Sequence, residues 1–113
     1  MMKNGQVWLV DFEPQLGQEI KKIRPAIIVN SNALGILPLK VVVPLTDGLK
    51  QQQAWMTKLS PSKKNGLSKT SFPDCFQVES ISDKRFVKKI GVLNEEELAE
   101  VKLCLAKVLE LIF

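Results

Sequence analysis

A mainly antiparallel β sheet or small barrel, closed by a C-terminal helix, is the fold class predicted by three features of this 113-residue chain. Short runs rich in β-branched residues recur between residues 7 and 81, bounded by proline, glycine or polar loops. One long segment of helical period starts at Asn94. No repeat, low-complexity tract or Gly/Ser linker divides the chain, so residues 1–113 form one domain, long enough for a core without disulfide or metal staples.

The first strand is Val7-Trp8-Leu9-Val10-Asp11-Phe12, closed by Glu13-Pro14. Gln15 to Ile23 follows as a polar, lysine-bearing loop containing Gly17. Arg24-Pro25 opens the run Ala26-Ile27-Ile28-Val29, and because a proline disfavours helical geometry at the residue before it, Arg24 is expected extended at a strand mouth. Asn30 to Pro38 is a turn-rich connection. Leu39 to Thr46 is a third strand, in which Pro44 cannot donate to a ladder and implies an edge or bulge just before Thr46. Trp55 and Met56 mark a short strand within residues 51–58, and Ser60 to Gly66 is the clearest exposed loop. A further strand covers Cys75 to Ile81, with Phe76, Val78 and Ser80 on one face and Gln77, Glu79 and Ile81 on the other, ended by Ser82 to Lys84.

The helix has the clearest signals. Asn94 is a good N-cap, Glu97 completes a capping-box pattern, and the early glutamates favour the positive helix end. Leu98, Val101, Leu105, Val108 and Ile112 form one apolar face, widened by Cys104, Leu109 and Leu111. That face packs on the sheet or, in part, serves a dimer interface. Trp8 reads as core; Trp55, beside three glutamines, reads as core or as a platform for an unpaired base.

Composition narrows the chemistry. The chain has no histidine, the usual general base near neutral pH and the commonest metal ligand, which excludes His-based nucleases, Ser-His-Asp hydrolases and most zinc sites. Cys75 and Cys104 have no CxxC spacing or neighbouring ligand type, so they are expected as reduced, buried thiols, with no metal and no cofactor. The net charge of +4 hides an asymmetry: from Asn94 onward there are five acids and two bases, leaving a body at +7 before a tail at −3. A basic body suits a polyanion such as nucleic acid, although solvated lysines are as common. No apolar run is long enough to span a bilayer, and the polar N-terminus has no signal-peptide core behind it, so no membrane partner is expected and the location is expected to be cytoplasmic.

The run Gly5-Gln6-Val7-Trp8-Leu9-Val10-Asp11-Phe12-Glu13-Pro14, then Gly17-Gln18-Glu19, then Arg24-Pro25-Ala26-Ile27-Ile28-Val29, resembles the MazF/PemK (Kid) family of toxin-antitoxin ribonucleases. Val43-Pro44-Leu45-Thr46 sits where that family has its strand-end threonine, Phe76 to Ile81 looks like its late strand, and Arg85 with Ile90-Gly91-Val92-Leu93 precedes a final helix as in the family. The resemblance implies an SH3-like antiparallel β-barrel, a homodimer, and metal-independent cleavage of single-stranded RNA at short motifs. It also implies a cognate antitoxin whose acidic segment occupies the basic groove. Phe76 stands where the family often has an acid, and Glu79 where it often has arginine.

Cleaving RNA through its own 2′-hydroxyl needs a base for that proton, donors for charge on the phosphate, and an acid for the leaving 5′-oxygen. Arg24 presents a planar fork suited to two phosphate oxygens, and Thr46 a compact hydroxyl for a third contact. A guanidinium stays protonated, so Glu19 is the easier proton acceptor. By family pattern Glu19 matches the loop glutamate associated with activity, and Arg24 and Thr46 match the catalytic pair. The assignment is Arg24 as phosphate clamp and candidate proton donor, Thr46 as phosphate positioner and Glu19 as candidate base. Gln18, Lys21, Lys22 and Gln77 make up the substrate-binding set: the lysines track the backbone, and Gln77 offers a donor and an acceptor to a base edge. The ordinary alternatives are a rim ion pair of Arg24 with Asp11 or Glu13, a turn-ending role for Thr46 and a solvated Glu19. A gyrase-targeting or non-catalytic binding module on the same barrel is the rival function, because fold alone does not choose.

Overall fold

Ala26, Ile27 and Ile28, like Val42 and Val43, are fully buried, so both faces of their strands meet apolar neighbours and their sequences read as continuous runs rather than alternations. The computed structural model describes residues 2–12, 22–47 and 52–111. Its elements are β1 (Gln6–Phe12), β2 (Lys22–Ile28), β3 (Leu39–Thr46), β4 (Phe72–Pro73), β5 (Glu79–Ser82), β6 (Phe86–Val92) and α1 (Glu95–Leu109). The strands are antiparallel and lie in the order β4-β3-β2-β1-β6, with β5 also paired to β3.

This path has two ends, so among the described residues the expected barrel is an open sheet. A loop spans the gap where a strand would close it. Leu59 pairs with Ser71 just before β4, and farther along the same loop the Val92 N–H of β6 donates to the Lys64 carbonyl at 2.8 Å. Gly66 and Gly91 make this approach feasible: a Cβ on Gly66 would collide with the Ile90 carbonyl, and one on Gly91 with the Asn65 backbone.

Two apolar clusters form on opposite faces of the sheet. Val7, Ile27, Val43, Leu45 and Cys75 pack with Val101 and Cys104 of α1, supported by Leu98, Leu105 and Val108. Val10, Ala26, Ile28, Val42 and Ile81 form the other cluster, covered by Met2, Trp8, Phe12 and Phe86. Trp8 meets Phe86 edge-on at 5.6 Å, and its indole N–H donates to Gln6 Oε1 at 2.9 Å, satisfying the polar end of a partly buried ring.

The capping box at Asn94 is present in full: its side chain accepts from the Glu97 N–H at 2.8 Å, and Glu97 Oε1 accepts from the Asn94 N–H at 2.9 Å. The helix stops at Leu109, where Glu110 turns left-handed with φ 55°. Leu109 and Leu111 consequently stand 52% and 56% exposed and do not widen the core face; Ala106 is buried there instead. Ile112 lies outside the described residues. No helix among the described residues is long and apolar enough to cross a membrane.

Other boundaries shift for physical reasons. Lys22 and Ile23 belong to β2, so Arg24 stands inside a strand rather than at its mouth. β3 has the expected bounds but is interior, not an edge. Pro44 is tolerated because β5 serves that side of β3 at Leu39–Val42 and β4 at Leu45–Thr46, leaving Pro44 between them. The expected strand from Cys75 to Ile81 starts at Glu79, since Cys75–Gln77 forms a tight 3-10 turn; Ile81 is buried while Phe76, Gln77, Glu79 and Ser80 are exposed. Around Trp55 and Met56 a turn and a single bridge, Met56 to Asp74, replace a strand.

The loop Ser60 to Gly66 is exposed except at Asn65, which is wholly buried and fully bonded. Its amide oxygen accepts from the Ser62 and Leu67 N–H groups, each at 3.0 Å, while its amide nitrogen donates to the Ser60 carbonyl at 2.9 Å and to Glu97 Oε2 at 3.1 Å. Asn65→Ala should lower the unfolding free energy by about 1–3 kcal/mol, because the buried Leu67 N–H then has no acceptor. Urea titration measures it, and a variant as stable as the parent chain contradicts it.

The two thiols are unbridged and buried, and Cys75 Sγ donates to the Val101 carbonyl at 3.6 Å. Burial, reinforced by the neighbouring Cys104, pushes Cys75 from 9.0 up to about 12, and burial raises Cys104 as well. A thiol kept protonated by the fold contributes its full stability below 9.0 and loses it as pH climbs toward 12, since the unfolded chain then gives up the proton first. Stability should fall across that window, and less steeply in Cys75→Ala, as read by denaturant titration at each pH.

Candidate active site

Proline 25 shapes the place where Arg24 and Thr46 stand. The Val29 N–H donates to the Val41 carbonyl at 2.9 Å, and the pairs Ile28–Val42, Ile27–Val43 and Ala26–Pro44 follow in register. Antiparallel strands bond through alternate residues, so Val29, Ile27 and then Pro25 are the positions of β2 that face β3. Pro25 has no N–H, and the ladder ends one residue short of it. Beyond that point the register sets Pro25 across from Leu45 and Arg24 across from Thr46. Opposed residues in an antiparallel pair share a face, which brings the guanidinium and the hydroxyl to the same side of the opening.

A cleft of about 700 Å³ occupies that opening, and Arg24 and Thr46 both line it, together with the apolar Leu9, Ile23, Pro25 and Leu45. Thr46 is fixed from its other side by pairing with Phe72 of β4, and Arg24 by pairing with Val10 of β1. Among the described residues neither the Arg24 guanidinium nor the Thr46 hydroxyl has a hydrogen-bond or ion-pair partner. Asp11 is opposite Ile23, one position out of phase with Arg24 and on the other face, so the rim pair between them does not form. An unpaired planar fork and a hydroxyl lining one cleft are chemically able to receive an oxyanion such as a phosphodiester.

The remaining predicted residues are distributed differently. Gln18, Glu19 and Lys21 lie outside the described residues, and Lys22 is described only as the first residue of β2. Gln77 is not brought to the cleft: it sits exposed in the 3-10 turn, where its Nε2 donates to Asp74 Oδ2 at 3.0 Å. Trp55 is also elsewhere, tilted against Phe76 at 5.4 Å. Four polar cleft residues escaped the sequence reading, namely Asp47, Ser68, Lys69 and Ser71. A basic residue among the hydroxyls of Ser68-Lys69-Thr70-Ser71 was the available signal. Among the described residues no group of three or more Cys, Asp or Glu side chains is placed to hold a metal ion.

Fold and cleft together define a small β-sheet protein with an opening between two strands lined by a guanidinium and a hydroxyl. The sequence pattern of the PemK-like, MazF-like toxins of type II toxin-antitoxin systems matches residues 3–109, and the chain belongs to that family. It is 28% identical over 107 residues to Endoribonuclease MazF9 of Mycobacterium tuberculosis, covering 89% of this chain and 90% of that protein. It is 29% identical over 102 residues to Endoribonuclease MazF of Staphylococcus epidermidis, covering 89% and 85%. Among solved structures, a mycobacterial endoribonuclease in complex with its cognate antitoxin superposes with a TM-score of 0.81 at 20% identity, over 100% of this chain and 99% of that one, a likeness of fold.

The opening depends on a missing donor, which can be restored. Pro25→Ala supplies an N–H facing β3, so the ladder should extend by one pair and draw Arg24 toward Thr46. Hydrogen exchange at residue 25 should then be slowed to the rate of its ladder neighbours; a fast-exchanging amide there would mean that something else holds the strands apart.

Proposed function

We propose that this chain is a toxin-type, metal-independent endoribonuclease that cuts single-stranded RNA at short motifs, leaving a 2′,3′-cyclic phosphate and a 5′-hydroxyl. Membership of the toxin family supports the class of activity, and the two named MazF endoribonucleases are its relatives along most of their length. The observation that carries the reading is the pair Arg24 and Thr46, both unpartnered among the described residues and both lining one cleft.

The chemistry follows from the groups. Glu19 takes the proton of the 2′-hydroxyl, the freed oxygen attacks the adjacent phosphorus, and the 5′-oxygen of the next nucleotide leaves with a proton. Charge on the non-bridging oxygens rises toward the transition state, where the Arg24 fork and the Thr46 hydroxyl bind it more tightly than in the ground state. Arg24 is also the candidate donor to the leaving oxygen, with Gln18, Lys21 and Lys22 as contacts to the strand. DNA lacks the nucleophile, so it binds without being cut.

A cognate antitoxin and a homodimer belong to the same reading, on family grounds. The exposed Leu109 and Leu111 offer apolar surface at the helix end for a second copy. The working place is the cytoplasm, where single-stranded transcripts are found.

Arg24→Ala should lose cleavage of a long single-stranded transcript by about 10³-fold or more while melting like the parent chain. Sequencing the cut ends gives the motif and end chemistry together. A folded Arg24→Ala variant that cuts normally overturns the clamp, and a parent chain that leaves RNA whole but stalls DNA supercoiling overturns the class. A strict requirement for added Mg²⁺ contradicts the metal-free mechanism.

A further inference from the structure

The geometry points to Lys69 as an additional RNA-binding residue of this cleft, occupied in the free protein by Asp47 and transferred to a phosphate of the bound strand. The inference rests on the proposed single-stranded RNA substrate and adds a residue that the family match does not single out. Lys69 Nζ lies 3.9 Å from Asp47 Oδ2, and both residues line the cleft that holds Arg24 and Thr46.

The lysine is carried by a pinned segment. At one end Leu67 is buried and its N–H is bound by the side chain of buried Asn65 at 3.0 Å. At the other end Ser71 exchanges two backbone hydrogen bonds with Leu59, at 2.8 and 3.0 Å, and its hydroxyl donates to the Lys69 carbonyl at 3.0 Å. Ser68, Lys69 and Thr70 bridge these anchors, so the stem of Lys69 starts from a fixed point while its head reaches solvent.

The ion pair is suited to exchange. Its side chains are 68% and 43% exposed, and a pair that open to water holds weakly. Asp47 lines the same cleft as Thr46, so its carboxylate repels a phosphate bound there unless a cation intervenes. Lys69 brings such a cation to it. When RNA enters, a phosphate offers the same ammonium a stronger and multiply acceptor-bearing partner, and a compact charge on a flexible stem follows the backbone without reading bases.

The test uses the full-length chain and a mixed-sequence single-stranded RNA with 2′-O-methyl groups throughout, which binds but cannot be cut, with affinity measured across a salt series. Lys69→Ala should weaken binding by about tenfold at low salt and flatten the slope of log affinity against log salt by about 0.7, the value of one phosphate contact on a single strand. Asp47→Asn should tighten binding, and Lys69→Ala should still weaken it in the Asp47→Asn background. Unchanged affinity and slope in Lys69→Ala overturn the assignment. So does a lysine effect that vanishes once Asp47 is neutral, which would make Lys69 only a screen for that carboxylate. If the parent chain binds this RNA but does not cut the unmodified form, the endoribonuclease reading fails and the lysine assignment stands; if it does not bind, both fail.

Discussion

The absence of one backbone donor organises this molecule. β2 and β3 run in strict register from Val29–Val41 to Ala26–Pro44, and the next residue of β2 that should bond toward β3 is a proline. The proline removes a ladder hydrogen bond on that side, and the pairing ends at the position where the register has just brought Arg24 level with Thr46. Both residues stay anchored on their outer sides, by β1 and β4. The opening is therefore a property of rigid strands, and its two polar groups are preorganised rather than gathered from mobile loops.

The rest of the fold maintains that gap. Helix α1 and the cluster around Val101 hold the sheet from one face, and Val10, Ala26 and Ile28 are buried on the other. The loop anchored by Asn65 spans the open ends of the sheet, ties to the capping box through Glu97, and presents Lys69 to the cleft. Asn65 consequently links three features that lie far apart in sequence: the helix N-terminus, the β6 edge and the outer wall of the site. Its loss would affect stability and substrate contact together.

What could be read from the residues alone followed the range of the forces involved. β3 and the capped helix depend on contiguous side chains, and their patterns were legible. Arg24-Pro25 and Thr46 were legible as a pair because the family arrangement contains them. β6 was not, because two register shifts against β1 and the Lys88-Lys89 pair break its alternation. Cys75–Gln77 has strand-like composition, yet burial of Cys75 against Val101 is compatible with a tight turn that leaves Phe76 and Gln77 outside. Lys69 and Asp47 were invisible as a site because their proximity comes from a long loop crossing the sheet.

The account stands on a single phosphodiester being held by two side chains of one chain. The most direct measurement is a crystal structure of the chain with an RNA blocked at the 2′-oxygen of the cleaved nucleotide. The predicted result has the Arg24 guanidinium and the Thr46 hydroxyl within hydrogen-bond distance of oxygens on the same scissile phosphate, in the opening beside Pro25. A scissile phosphate bound elsewhere, or the two side chains on different phosphates, would contradict it.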